Sequence, residues 1–196
     1  MRRSHQFAAV TAAAITLATG LPTSAAAETT RASSPAGDGT GVIATYNGER
    51  IDLADGWDGA TVCAEFGPSD VRCFDDDAAY REATGLGPAH SEIGTRDLYD
   101  CPAGWVCIWD NRAYAGRRLQ WSAPGTKNLA DWDFRDRANS AANRRVQYGA
   151  ALIDVRTLQP DRTLLVGAGV GLGDLGALSY PGGGNWNNKA DRVEIY

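Results

Sequence analysis

The sequence contains very little histidine. Only His5 and His90 occur among its 196 residues. A Ser-His-Asp or Cys-His arrangement needs a histidine beside a nucleophile, and a His-Glu-x-x-His motif is absent. Asp and Glu are plentiful, so the sequence does not exclude a carboxylate pair for glycoside hydrolysis. Apart from such a pair, the sequence lacks the parts of an active site, and we predict that the protein is not an enzyme.

Clusters of positive charge are also absent. The formal net charge is −5, and the basic residues are scattered singly or in pairs such as Arg117-Arg118 and Arg144-Arg145. Proteins that neutralise phosphates need clustered Lys and Arg side chains. We therefore expect no nucleic acid among the partners of this protein.

No long apolar run occurs after residue 21. Before that point, Arg2 and Arg3 precede an alanine-rich apolar run over residues 7–21, and small residues follow at 23–27. This pattern is typical of a secretory signal peptide, which we place at residues 1–27. The run is shorter than the roughly 20 residues that a membrane span needs. We expect a secreted, extracellular protein with no membrane span.

The four cysteines, Cys63, Cys73, Cys101 and Cys107, all follow the expected signal peptide. An even number of cysteines in an oxidising compartment indicates two disulfides. A zinc site is the rival interpretation, but the sequence has no Cys-x-x-Cys and only one histidine after the signal peptide. Four cysteines allow three pairings, and closeness in sequence favours Cys63 with Cys73 and Cys101 with Cys107.

The first half of the chain divides by composition. Residues 28–41 lack apolar periodicity, which indicates a flexible leader. Residues 42–85 are predicted to form a small β module, because β-like runs flank the turn signals at Asn47-Gly48 and at residues 67–70. An aspartate cap at residues 75–77 opens a short helix that ends before Gly85. Residues 86–100 are expected to be a linker to a domain over residues 101–196.

From Cys101 onward, six strand-like segments alternate with turn residues, which predicts an all-β sandwich. The segment WDNRAYAG at residues 109–116 resembles the folded-hairpin signature of βγ-crystallin Greek keys, in which a glycine adopts a positive φ. Residues 134–140 resemble the segment that carries the late serine of that family, which secures the folded hairpin, and residues 186–193 repeat this segment. The resemblance implies a sandwich of two Greek keys, with Trp109 and Trp121 facing its core, although residues 151–162 lack the aromatic and the glycine in the second copy.

The opening CPAGWVC at residues 101–107 is similar to secreted bacterial proteins of the streptomycete-type metalloproteinase inhibitor family. The resemblance implies a monomeric peptidase inhibitor whose partner is an extracellular metallopeptidase of the thermolysin type. A rigid scaffold would present a loop in extended form, so that little ordering entropy remains to be lost on binding. Thermolysin-like enzymes favour a bulky apolar residue after the scissile bond, and the candidate loops are residues 157–166 and 169–178. Their candidate contact residues are Leu158, Leu164, Leu165, Leu172 and Leu175.

Calcium binding is the alternative that the crystallin resemblance implies. Family members use loop oxygens in the pattern [Asn/Asp]-[Asn/Asp]-x-x-[Ser/Thr]-Ser. The candidate ligands here are Asp136, Asn139, Ser140, Asn187, Asn188 and Asp191. Both copies depart from the pattern, because Arg135 replaces a ligand residue in the first and Arg192 replaces the final serine in the second. The alternative function is a calcium-binding or cell-envelope-binding structural module, and no other cofactor is expected.

Overall fold

The computed structural model describes residues 41–87 and 98–196. The expected signal peptide, the leader up to residue 40 and His90 lie outside these residues. Among the described residues, no helix is long and apolar enough to cross a membrane. The structure is mostly β-sheet, with α1 (Asp77–Thr84) as the only α-helix in the described ranges.

Residues 43–84 form two hairpins and a helix. The strands are β1 (Ile43–Tyr46), β2 (Glu49–Asp52), β3 (Val62–Gly67) and β4 (Asp70–Phe74). Asn47 and Gly48 join the first pair with φ values of 50° and 81°, as a two-residue Asn-Gly hairpin turn requires. Helix α1 begins because the Asp76 carboxylate accepts a hydrogen bond from the Ala79 N–H, and it ends at the left-handed Gly85.

Residues 106–195 form eight further strands. These are β5 (Val106–Asn111), β6 (Ala115–Trp121), β7 (Gly125–Asn128), β8 (Ser140–Asn143), β9 (Ala150–Asp154), β10 (Arg162–Val166), β11 (Gly171–Leu172) and β12 (Arg192–Ile195). The sequence predicts six strand-like segments rather than eight. Strand β7 is mainly polar and β11 has two residues, so neither shows the apolar alternation by which strands are recognised.

The strand order shows two Greek keys that exchange their third strands. Sheet A has the order β11-β8-β5-β6-β3-β4-β1-β2, and sheet B has the order β10-β9-β12-β7. Strand β7 of the first key therefore pairs with β12 of the second, and β11 of the second pairs with β8 of the first. This exchange confirms the predicted sandwich of two Greek keys.

Both disulfides join cysteines that are close in sequence. Cys63 and Cys73 lie opposite each other on β3 and β4, and the second bridge joins Cys101 to Cys107. These are the two pairings that the sequence favours. The described residues contain no free cysteine.

The core lies between the two sheets, and one tryptophan departs from its predicted place. Trp121, Phe134 and Trp186 are buried together in the main cluster. Trp109 is also buried, but it packs with the Cys101–Cys107 disulfide on the other face of sheet A. The expectation that Trp109 faces the shared core is therefore wrong, because Ile108 occupies that side of β5 and successive side chains alternate between faces.

The amino-terminal hairpins extend sheet A directly. Strand β3 runs parallel to β6, with Cys63 opposite Leu119. The Trp57 ring stacks on Phe134 with ring centroids 5.7 Å apart, and the Trp57 indole N–H donates to the Trp132 carbonyl oxygen over 2.8 Å. Residues 43–74 and the first Greek key therefore share one continuous sheet.

Candidate functional site

The loop between β9 and β10, residues 155–161, projects from one end of sheet B. Leu158 lies at its tip and is 99% exposed. Its φ of 61° is in the left-handed region, which costs a leucine about 1 kcal/mol. Strained backbone of this kind is concentrated at ligand-contacting sites. The β9–β10 loop is therefore the first candidate for a contact with another protein.

Hydrogen bonds hold both stems of the β9–β10 loop. The Val155 N–H donates to the Asp191 carboxylate over 2.6 Å, and the Arg156 N–H donates to the Asp161 carboxylate over 3.0 Å. Asp161 also forms an ion pair with Arg192 over 3.0 Å. Pro160 further restricts the loop because its ring fixes φ. These contacts limit the conformations that the tip can adopt.

A tyrosine supports the end of β9 beside the loop. The Tyr180 hydroxyl donates a hydrogen bond to the Asp154 carboxylate, the last residue of β9. This hydrogen bond, together with burial, raises the pKa of Tyr180 above its ordinary value of 10.0. The phenol therefore stays protonated at neutral pH and remains a donor to Asp154.

The predicted leucines occupy very different environments. Leu158 and Leu165 are 99% and 68% exposed, whereas Leu164 and Leu172 are half-buried against the core. Leu175 is fully buried in that core, so it is not available to a partner. The exposed leucines thus lie on the β9–β10 hairpin and not on residues 169–178.

The second candidate loop is tied into the sandwich. Gly171 and Leu172 pair with β8, and the Leu175 N–H donates to the Asn139 carbonyl oxygen over 3.0 Å. The β9–β10 loop also differs from expectation, because Thr157 and Leu158 form a turn instead of an extended segment. A two-residue turn lets the hairpin reverse within seven residues, and it places the Leu158 side chain outermost.

The candidate calcium ligands of the first Greek key hold the β5–β6 hairpin. The Ser140 hydroxyl donates to the Asn111 carbonyl oxygen over 2.7 Å and accepts from the Tyr114 N–H over 3.1 Å. The Asn139 amide donates to the Asp110 carbonyl oxygen over 2.6 Å and to the Asn188 side chain over 3.0 Å. The structure thus brings Asn139 and Asn188 together as hydrogen-bond partners.

The candidate carboxylates lie close together, but one of them supports the β9–β10 loop. Asp191 is buried, forms an ion pair with Arg135 and accepts the Val155 N–H. Burial, and next the charge of Asp191, raise the pKa of Asp136 above its ordinary value. Asn187 donates its backbone N–H to the Asn185 side chain. Within residues 41–87 and 98–196, no three His, Cys, Asp or Glu side chains are grouped as a metal site would need.

Part of the chain matches a known inhibitor family. Residues 94–150 match the model of peptidase inhibitor family I36. The matching segment spans the Cys101–Cys107 disulfide, the first Greek key and the connection to β9. It confirms the resemblance to peptidase inhibitors that the sequence shows. No curated protein matches the chain.

Solved structures similar to this chain include βγ-crystallin domains. The crystal structure of the N-terminal domain of Protein S is 16% identical, with 47% of this chain and 94% of that chain covered and a TM-score of 0.36. A βγ-crystallin domain from Clostridium beijerinckii is 15% identical, with 46% of this chain and 95% of that chain covered and a TM-score of 0.34. The Greek-key assignment itself follows from the strand order of this chain.

Proposed function

We propose that this protein is a secreted inhibitor of an extracellular metallopeptidase and that the β9–β10 loop makes the primary contact. The match of residues 94–150 to a peptidase inhibitor family supports the inhibitor class. Two disulfides in the described structure agree with an oxidising, extracellular compartment. An inhibitory role needs no catalytic residues.

The observation that carries the loop assignment is an exposed leucine on a fixed turn. Burying a fully exposed leucine contributes about 2 kcal/mol, and an apolar subsite of a peptidase would supply that burial. The hydrogen bonds at both stems order the loop before binding, so less conformational entropy is lost on association. Thermolysin-like peptidases are the class expected to accept such a side chain, which accounts for the choice of a metallopeptidase.

Titration against thermolysin tests the proposed function. We expect the purified secreted protein to abolish thermolysin activity stoichiometrically. Leu158→Ala should raise the inhibition constant about tenfold, because it removes the side chain that enters the subsite. Unfolding midpoints in urea should not change, since the Leu158 side chain is 99% exposed and adds nothing to the core.

Val146→Ala is a matched control, because Val146 is 94% exposed on the connection between the two Greek keys. We expect this variant to inhibit within about twofold of the wild type, as surface substitutions outside an interface do. Undiminished thermolysin activity at an excess of wild-type protein would contradict the proposed function. Weakened inhibition by Val146→Ala but not by Leu158→Ala would place the contact elsewhere.

A further inference from the structure

Three of the seven tyrosines in the chain are exposed, and all three lie beside the connection between β8 and β9. Tyr148 belongs to this connection, and Tyr99 packs against its Arg144 side chain. The Tyr196 N–H donates to the Gly149 carbonyl oxygen over 3.1 Å. In chain order, the three tyrosines are 50%, 62% and 48% exposed. Exposed apolar groups that are gathered in this way mark an interaction site, whereas single ones are ordinary surface.

The buried Asn143 side chain holds the connection between β8 and β9 in one shape. Its amide group donates to the Tyr148 carbonyl oxygen over 3.0 Å and to the Val166 carbonyl oxygen over 3.1 Å. Its oxygen accepts the Arg145 N–H over 3.1 Å. Val146 lies between these two anchors and is 94% exposed. The connection is therefore ordered before a partner arrives, which lowers the entropy lost on binding.

Arg144 and Arg145 form no ion pair with a carboxylate side chain of the described residues. The Arg144 guanidinium donates to the Cys101 carbonyl oxygen over 3.3 Å and lies 4.3 Å from the centre of the Tyr99 ring. The Arg145 guanidinium donates to the Tyr196 main-chain oxygen and also lies over a tyrosine ring. Eight other arginines of the described structure pair with aspartates. These two guanidinium groups are thus fixed in place while their charge stays open to an external carboxylate.

The composition of this region favours an acidic protein as the partner. We name the following residues the tyrosine–arginine surface: Tyr99, Arg144, Arg145, Val146, Tyr148 and Tyr196. Protein interfaces are enriched in tyrosine and arginine and depleted of Asp, Glu and Lys, and this surface contains none of the depleted types. In a two-fold dimer the same residues of both copies would meet, which places four guanidinium groups together without a carboxylate side chain. A phosphate polymer would pair with the arginines but would leave Val146 in water.

We infer that the tyrosine–arginine surface binds an acidic protein segment, whose carboxylates pair with Arg144 and Arg145 and whose apolar side chain packs on Val146. A planar guanidinium group that is already oriented can donate two parallel hydrogen bonds to a carboxylate. The surface lies away from the proposed inhibitory contact, because β9 begins beside Gly149 and ends at the β9–β10 loop. The length of β9, which has 5 residues, separates the two sites by about 17 Å. The protein can therefore bind this partner and a peptidase at the same time.

Titration with an acidic peptide tests the inference. The probe has a leucine with three glutamates on each side, and NMR of the full protein should show shifts of the main-chain amides of residues 144–148 when the probe is added. Arg144→Glu and Arg145→Glu should each weaken binding about tenfold, because repulsion replaces attraction. Arg50→Glu is the matched control, since Arg50 is exposed on β2 at the opposite edge of sheet A and its replacement changes the net charge equally. We expect this control to change binding less than about twofold.

Val146→Ala and a second probe, with serine in place of leucine, measure the apolar contact. Each should weaken binding about threefold, because each removes apolar area from the interface. All four variants should keep the wild-type circular dichroism and inhibit thermolysin within about twofold of the wild type. Three results would contradict the inference: unchanged amides at residues 144–148, equal affinity for the leucine and serine probes, or equal weakening by Arg50→Glu. A wild-type dimer that Arg145→Glu dissociates would assign the surface to self-association instead.

Discussion

Asp191 links two parts of the sandwich that are distant in sequence. Its buried carboxylate accepts the Val155 N–H at the start of the β9–β10 loop and pairs with Arg135 of the first Greek key. The sequence pattern gives Asp136 and Asp191 as candidate calcium ligands, one in each copy of the pattern. In the structure, the charge of Asp191 contributes instead to the raised pKa of Asp136.

Asp136→Asn tests this electrostatic arrangement. A carboxyl group whose folded pKa is raised above 3.8 makes the folded state less stable once pH rises through that value, and the loss is complete above the folded pKa. The variant should therefore melt about 1 to 3 °C higher than the wild type at pH 7, a small effect because the side chain is 58% exposed to screening solvent. Below pH 3.8, where the carboxyl is protonated in both states, the difference should vanish.

Calorimetry at pH 7 and pH 3 measures the difference in melting temperature between the variant and the wild type at each pH. The same measurement with added calcium supplies the control. Arg135 forms an ion pair with Asp191, and Asn139 donates a hydrogen bond to Asn188, so these oxygens already have partners. We therefore expect calcium to leave the melting temperatures of the wild type and the variant unchanged. A calcium-dependent rise that Asp136→Asn abolishes would identify Asp136 as a ligand. A difference that persists at pH 3 would show that the amide acts through the left-handed backbone at residue 136 and not through charge.

The β5–β6 hairpin explains the aromatic and glycine signature at the level of an element. Tyr114 packs edge-on against Trp109, with ring centroids 5.2 Å apart, and both Ala113 and Tyr114 have positive φ. A Cβ atom on Gly116 would lie 2.0 Å from the Asp110 carboxylate and 2.5 Å from the Asn111 amide nitrogen. The Arg117 main-chain N–H and guanidinium both donate hydrogen bonds to the Asp110 carboxylate, which restricts its movement. A side chain at Gly116 therefore requires the Asp110 and Asn111 side chains to move.

Gly116→Ala and Gly104→Ala separate steric clash from backbone strain. The φ values are similar, at 80° and 86°, but no atom of the described residues lies within 4 Å of a Cβ atom on Gly104. Gly104→Ala should lower the free energy of unfolding by about 1 kcal/mol through strain alone. Gly116→Ala should lower it by about 2 to 4 kcal/mol, because the clash adds to the strain. Urea denaturation measures both, and equal losses would mean that Asp110 moves aside freely.

Local patterns predicted this hairpin, the helix caps and both disulfides, because their partners lie within about ten residues. Ser140 was predicted to secure the hairpin by resemblance, and its hydroxyl bonds do so. The supports of the β9–β10 loop were not predicted, since Asp191 and Asp154 meet partners 36 and 26 residues away. Strand β11 and the turn at Leu158 were missed for a related reason: tertiary pairing sets their conformation, and no local periodicity marks it.

At the scale of the whole molecule, residues 43–84 cover one edge of the first Greek key. Strand β3 covers the edge of β6, and Asp77 of α1 pairs with the fully buried Arg118 over 2.7 Å. Burial lowers the pKa of Arg118, and Asp77 opposes that effect. Lys127 and Glu65 form a second pair, 2.6 Å apart, between β7 and β3. The amino-terminal strands thus contact both sheets of the sandwich.

A fragment of residues 101–196 should not fold into a stable monomer. It would expose the edge of β6, the face of Phe134 that Trp57 covers, and the Arg118 side chain without its carboxylate partner, and the Trp132 carbonyl oxygen would lose the Trp57 indole as a donor. We expect aggregation in size-exclusion chromatography and loss of the near-ultraviolet circular dichroism that the full protein shows. A monomeric fragment with the melting temperature and thermolysin inhibition of the full protein would show that the amino-terminal strands are dispensable.

The exchange of third strands determines when sheet B can assemble during synthesis. Strand β7 at residues 125–128 has its only described strand partner in β12 at residues 192–195, and β12 also separates β7 from β9. The ribosome must therefore add more than sixty residues after β7 before sheet B can assemble, and the nascent first key has to wait with one strand unmatched. In that interval the unpaired edges and apolar surface of the first key are open to chaperones and to non-native pairing.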